Sequence, residues 1–236
     1  MGLLQKWKDT VNDAVSNSAW DEYDQLITDE IAEYNKRLKD TPDFESVDWH
    51  LVKAMLWVES GGPSNAAWKR RAMQIGNKGD PGYRVLSHKG EGSHLVMASQ
   101  LWNDIKDPKQ IDDPKINIRA GIAYLFTRMA TFEDRSVDDA SDTKIHEHTV
   151  APGESLWSIA KRHKTTVASL EEHNPEKTKV IRPKQVLKYR KARIEMVITG
   201  WRPFRTVTIA QRYNVGDPDY AGKLDYCVGL FRTLKR

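Results

Sequence analysis

Glu59 closes an apolar run. In the segment VKAMLWVESGGPSNAAW, Val52 to Trp68, it follows Val52, Ala54, Met55, Leu56, Trp57 and Val58, and Gly61-Gly62-Pro63 breaks the chain just beyond it. It lies four residues after Met55 and seven after Val52, so on a helix it points near the apolar stripe. Burial disfavours an ionised carboxylate. The partial negative charge at a helix C-terminus disfavours it again. Both effects raise the pKa. A carboxylic acid still protonated near neutral pH is what glycosidic-bond cleavage needs as a general acid. The competing reading is a Glu that caps the turn or reaches solvent.

Asp80, in KGDPGY, is the nearest acidic candidate for a second carboxylate, and it reads as a turn residue. Were it to face Glu59 across a cleft, inverting hydrolysis would become credible. His146 and His148 alternate in a polar stretch, without further ligands at metal spacing, so neither a metal nor another cofactor is expected. Cys227 is the one cysteine, which rules out an internal disulfide. In LDYCVGLF it reads as a packed thiol.

Helices must position these groups. Trp20, Tyr23, Ile27, Ile31, Tyr34 and Leu38 recur at helical spacing and predict an amphipathic helix over 20–38, interrupted by Pro42 and Asp43. Ser46 is the expected cap of a second helix, with Asp48 in its first turn and Phe44, Val47, Leu51, Met55 and Val58 on one face. Residues 61–93 read as loop. Helical patterns return at Leu95–Ile105 and Ile116–Met129. The polar, acidic stretch Thr131–Glu147 reads as a linker. From His148 the order becomes strand, Pro-Gly turn, helix from about Ser155, helix near Thr166–Glu172, and a strand ending at Tyr189, a βααβ unit small enough to stand alone. Beyond it RIEMVITGW looks extended, and TVTIAQRY and AGKLDYCVGLFR look helical.

The chain has 236 residues, 39% hydrophobic and 30% charged, which excludes a disordered chain. A net charge of +4 suits an acidic polymer such as cell wall, membrane surface or nucleic acid without choosing among them. No nucleic-acid motif is visible, so nucleic acid is not an expected partner. No segment approaches membrane-spanning length, so no membrane insertion is expected. MGLLQKWKDTVNDAV lacks a long apolar core and a cleavage site, which predicts synthesis in the cytoplasm without a signal peptide.

VESGG, then AMQIGN (Ala72 to Asn77), then NIRAGIAYL (Asn117 to Leu125), resemble the lytic transglycosylase family in order and spacing. A Tyr-Asn-x-Gly element completes that family's pattern. Here it comes only after the βααβ unit, in AQRYNVGDPDYAGKL, with Tyr213, Asn214, Gly216 and Tyr220. The resemblance implies a mainly α, goose-lysozyme-like catalytic domain with the small βααβ unit inserted. The expected divisions are an N-terminal helical extension 1–18, a first catalytic part 19–144, the inserted unit 145–192 and a second catalytic part 193–236. The alternative is two sequential domains with a tail that happens to carry a Tyr-Asn pair.

The inserted unit resembles a LysM domain along its whole length, through HTVAPGESLWSIAKRH and LEEHNPEKTKVIRPKQVLKY. The resemblance implies binding of N-acetylglucosamine-containing glycan by two loops, Gly153, Glu154, Ser155 and Leu156 in the first and Asn174, Pro175, Ile181 and Arg182 in the second. Trp157 and Ile159 are expected in the core.

By the transglycosylase resemblance, Glu59 protonates the glycosidic oxygen between N-acetylmuramic acid and N-acetylglucosamine. It then takes the proton of the muramic 6-hydroxyl, which closes a 1,6-anhydro ring. Tyr213 would hydrogen-bond near Glu59 and position it, and Asn214 would fix the same element. Gln74 and Met73 would line glycan subsites. Ser60 would orient the turn or touch an acetamido group, and Tyr124 stands near the site with a packing role equally open. The chain departs from the family at Arg71-Ala72, where a Gly is usual, and at Val215-Gly216-Asp217-Pro218. Trp68, Lys69, Arg70 and Arg71 are read as glycan or stem-peptide contacts, or as a solvated basic turn. A hydrolytic muramidase and a non-catalytic wall-binding protein are the competing functions. The implied partners are peptidoglycan and, for an effector delivered by a contact-dependent route such as type VI secretion, an immunity protein or secretion-apparatus component.

Overall fold

The computed structural model describes residues 3–178 and 180–234. Met1, Gly2, Lys235 and Arg236, at the ends of the expected first and last divisions, and Lys179 in the expected βααβ unit, lie outside them. The chain divides into two compact units. Residues 1–132 and 198–236 form one, and 133–197, a single stretch between them, forms the other.

The first unit is helical: α1 (Leu3–Asn12), α2 (Asp24–Leu38), α3 (Trp49–Ser60), α4 (Gly82–Ser87), α5 (Ser93–Val96), α6 (Ser99–Asp104) and α7 (Pro114–Met129). After four strands and two helices described below, α10 (Thr206–Arg212) and α11 (Tyr220–Leu234) complete it. The helix expected over 20–38 begins at Asp24. Trp20 sits instead in a 3-10 turn over Ser18–Asp21, whose cap Asn17 accepts from the Ala19 N–H. The face Ile27, Ile31, Tyr34 and Leu38 is buried as its spacing requires.

Asp48, not Ser46, caps α3, because its carboxylate accepts from the His50 N–H at 3.0 Å. Nor does α3 bury only one face. Every residue from Val52 to Trp57 is buried, Lys53 included. The Lys53 ammonium lies 2.8 Å from Asp21 and 2.6 Å from Asp24, and within 5.5 Å of the Trp49, Trp57 and Phe231 ring centres. Two carboxylates and three rings offset the cost of taking that charge out of water.

The capping carboxylate of Asp113 and Pro114 in the first turn start α7. α7 then runs through the core, with Ile118, Ile122, Leu125, Phe126 and Met129 all buried. α11 packs on α3, and α10 on both α7 and α11. The expected loop 61–93 holds a 3-10 turn at Ala66–Lys69 as well as α4 and the first residue of α5.

β1 (Ala130–Asp138) and β4 (Ala192–Trp201) pair as a two-stranded ribbon. The linker expected over 131–147 is therefore strand for much of its length. Neither side of β1 is consistently buried, so its sequence lacks the alternation that reveals a strand.

In the second unit β2 (His146–Thr149) runs antiparallel to β3 (Val186–Tyr189), with His146 opposite Tyr189 and Thr149 opposite Val186. Between them lie α8 (Leu156–His163) and α9 (Val167–His173), the expected βααβ order. Ser155 and Ser158 form a capping box on α8, and Thr166 caps α9. Val150, Ile159, Ala160, Leu170, Leu187 and Tyr189 make the core. Trp157 does not join it and is 66% exposed. On α8 the inward phase is Leu156, Ile159 and Ala160, and Trp157 falls on the outward phase with Lys161.

Candidate functional site

Glu59 lies in the last turn of α3, half-buried. Gly61 stops the helix in a left-handed conformation (φ 70°), its N–H bonded to the Trp57 carbonyl. Gly62 (φ 91°) lies against Trp20, and a Cβ there would sit 2.2 Å from the indole. The Gly-Gly break is thus forced by the core, and it brings the chain away from Glu59 and leaves its carboxyl at a cleft.

That cleft has a volume of about 440 Å³, and Glu59, Met73, Gln74, Asp80, Tyr124, Tyr213 and Asn214 are among its walls. Glu59 Oε1 accepts from the Tyr220 hydroxyl at 2.8 Å and from Asn214 Nδ2 at 3.4 Å. Burial pushes the Glu59 carboxyl up to about 7. The two hydrogen bonds oppose that rise, and the charges of Asp80 and Asp217 reinforce it. The group therefore exchanges its proton near neutral pH.

Tyr213 does not bond Glu59. Its hydroxyl donates to the Met73 carbonyl at 3.2 Å, and its ring packs 5.5 Å from that of Tyr124. Tyr213 caps the end of α10, whereas Tyr220 opens α11, which packs on α3, so Tyr220 is the tyrosine that reaches the acid. The sequence contains Tyr220 within the same element, but nothing in its spacing distinguishes the two roles.

The Met73-Gln74-Ile75 wall is built by α7. Buried Asn117 accepts from the Met73 N–H (2.9 Å) and donates to the carbonyls of Ile75 (2.8 Å) and Ile111 (2.9 Å). One turn on, Gly121 admits Met73, since a Cβ there would lie 2.6 Å from the Met73 Cβ. Tyr124 then reaches the cleft. The spacing of Asn117, Gly121 and Tyr124 is that of one helix face gripping one loop. Gln74 adopts φ 60° and donates to the Glu59 carbonyl at 2.8 Å, while its own amide oxygen accepts from Asn77. Its side chain thus braces the backbone of the acid.

Ser60 orients the turn. Its hydroxyl donates to the Leu56 carbonyl (2.6 Å) and accepts from the Gly62 N–H (3.2 Å), and its burial excludes contact with an acetamido group. Asp80 shares the cleft with Glu59 yet is also the expected turn residue, accepting from the N–H groups of Gly76 (2.7 Å), Gly82 (3.0 Å) and Tyr83 (3.4 Å). Trp68 is buried with its indole on Glu22, and Arg70 and Arg71 both pair with Asp112. Lys69 and Arg70 are exposed, as the solvated-turn reading expects, whereas Trp68 is buried and out of reach of glycan. Arg71 also donates to the Gly76 carbonyl, and so braces the loop at the position where the resembling family has a glycine nearby. Cys227 is buried, its thiol pushed up to about 12.

In the second unit the expected binding loops are largely occupied by their own architecture. Gly153 takes φ 82°. The Glu154 side chain, 8% exposed, accepts from the Ala151 N–H and from Arg162 and pairs with His148 at 2.7 Å, which holds its carboxyl down at about 2. Ser155 is spent on its cap. Asn174 is buried, donating to the Leu170 and Lys188 carbonyls and accepting from the Lys188 N–H, so both of its amide donors are spent within the domain. Leu156 and Ile181 are half-buried against the core, while Pro175 and Arg182 are exposed.

Residues 148–189 match the LysM domain family, and this stretch is a LysM domain. LysM domains bind peptidoglycan. Comparison of the chain with curated proteins and with solved structures finds no match in either.

Proposed function

We propose that the helical unit cleaves the peptidoglycan that the LysM domain binds, acting as a lytic transglycosylase on the β-1,4 bond between N-acetylmuramic acid and N-acetylglucosamine. The observation that carries this reading is Glu59, a carboxylic acid poised near pH 7 on the wall of a cleft and held by Tyr220 and Asn214. Its proton goes to the leaving glycosidic oxygen as the bond to the anomeric carbon breaks. The muramic 6-hydroxyl attacks that carbon and returns its proton to Glu59. No water is consumed, and one carboxyl serves both transfers.

Asp80 supports this over the two-carboxylate alternative, because three backbone N–H groups already occupy its oxygens. Its presence in the same cleft keeps water-using muramidase chemistry as the second reading. Acting at the cell wall, such an enzyme would serve as an antibacterial effector. An immunity protein would then have to seal this cleft.

The test is turbidity loss of purified sacculi with the wild-type chain and with Glu59→Gln. Loss with the first and none with the second, at equal sacculus binding, supports an enzyme. No loss with either makes the chain a binding protein alone, and equal loss with both contradicts Glu59 as the acid.

A further inference from the structure

The LysM domain presents a large apolar side chain to solvent that its own core does not use. Trp157 is 66% exposed, and Ile194, in the β4 segment of the same unit, is 60% exposed. With Ala160, Lys161, Val167 and Ala168 they line a groove of about 410 Å³. None of the expected loop residues, 153–156 or 174–182, lines it.

The chemistry of this groove is narrow. Lys161 lies one turn after Trp157 on the same face of α8, its ammonium 5.1 Å from the indole centre, and it has no carboxylate partner among the described residues. The neighbouring Arg162 is spent on Glu154. The groove's hydroxyls are spent as well: Thr165 donates to the Arg190 carbonyl, and Thr166 is shared between the Ser169 N–H and Ser136. What remains on offer is a flat aromatic face, an aliphatic floor and one unpaired cation.

A ligand that fits carries a flat, C–H-rich face with a carboxylate at its edge. A segment of protein would want backbone partners or a larger apolar area, and the groove supplies neither. Trp157 also follows directly on Leu156, the end of the first expected glycan loop, so a strand bound there can continue along α8. We infer that Trp157 and Lys161 form a second saccharide contact of the LysM domain, which takes a carboxylate-bearing amino sugar of the peptidoglycan strand. The pyranose stacks on the indole and the carboxylate meets the ammonium. That carboxylate is either the lactyl group of a peptide-stripped strand or an acid of the attached stem peptide. The inference rests on the LysM domain and not on the proposed cleavage.

The experiment uses the full chain in a Glu59→Gln background, so that no strand is consumed, and measures affinity by isothermal titration calorimetry. The probes are peptide-stripped glycan oligosaccharides, peptide-bearing glycan oligosaccharides and uncharged chitin oligosaccharides. Trp157→Ala is expected to weaken binding of the charged probes about tenfold, with Trp157→Phe retaining most of the affinity. Lys161→Glu is expected to abolish the preference for charged probes over chitin and to flatten its salt dependence. Preference for stripped strands identifies the lactyl carboxylate as the ligand, and preference for peptide-bearing strands identifies the stem peptide. Both side chains are outside the core, and unchanged melting temperatures verify intact folding of the variants. Affinities within twofold of the parent for all three probes in both Trp157→Ala and Lys161→Glu would overturn the inference. So would a Trp157-dependent dimer with unaltered glycan binding.

Discussion

The Tyr220 hydroxyl donates to Glu59 Oε1 at 2.8 Å across 161 positions of sequence. It joins the first residue of α11 to the last turn of α3, so the acid and its donor come from the two separate stretches of chain that make up the helical unit. A donor aimed at the carboxylate favours its ionised form and holds the pKa below the level that burial alone would set.

Removing that donor by Tyr220→Phe therefore raises the Glu59 pKa above its value of about 7. A carbon-detected NMR titration of the Glu59 carboxyl reads this directly, and the alkaline limb of any pH–rate profile moves with it. An unchanged midpoint would mean that the Tyr220 bond does not tune the acid.

Glu59 also costs stability. Its carboxyl titrates near 4.5 in the unfolded chain and near 7 in the folded one, so between those values the folded state holds more protons. Stability consequently falls as pH rises from 4.5 through 7. Glu59→Gln keeps an oxygen for Tyr220 and is expected to stabilise the chain by at most ~3 kcal/mol at pH 8, with almost no gain at pH 4. Denaturant melts at the two pH values check this, and an equal effect at both would contradict a raised pKa.

The wall opposite the acid depends on a missing side chain. Gly121→Ala places a Cβ 2.6 Å from that of Met73, so the loop must shift. A cost of about 1–3 kcal/mol is expected, with a loss of wall-cleaving activity larger than the loss of stability explains. Asn117→Ala removes three buried hydrogen bonds to the same loop and should cost more than Gly121→Ala. A thermal melt of each variant, with sacculus clearing measured well below its midpoint, separates the two effects.

The LysM domain carries a chain of contacts from Glu154 to His148 (2.7 Å), His163 (3.0 Å) and the Tyr189 hydroxyl (2.9 Å), with Arg162 on Glu154 and His146 stacked on Tyr189. Burial and the charges of His148, Arg162 and His146 hold His163 below its ordinary value, against the opposing pull of Glu154. A depressed histidine contributes stability that is present above 6.5 and lost as pH falls through its folded pKa. Hydrogen exchange of residues 146–189 should therefore quicken as pH falls below 6.5, and His163→Gln should flatten that dependence. Exchange independent of pH, after correction for intrinsic rates, would contradict this.

What the sequence reveals follows the range of the interactions involved. The position of Glu59 is legible because an apolar run ends in Gly-Gly, a purely local signal. The βααβ order is legible for the same reason, as capped helices between short strands. Trp157 is misread when hydrophobicity is weighed without helical phase, since Leu156, Ile159 and Ala160 already fill the inward positions. Lys53 inside an apolar run suggests a polar stripe. Its burial depends on Asp21 and Asp24, which reach it from the turn before α2 and from that helix's first residue. Tyr220 could be distinguished from Tyr213 only by the packing of α11 on α3, which no local pattern encodes.

The central claim is that one acid, Glu59, cleaves the glycan without water. Mass spectrometry of sacculi digested in heavy-oxygen water tests it most directly. The account predicts muramic ends in the 1,6-anhydro form, with no heavy oxygen at the anomeric carbon and no such products from Glu59→Gln. Reducing muramic ends carrying the solvent's oxygen would contradict it and place a water on the anomeric carbon instead.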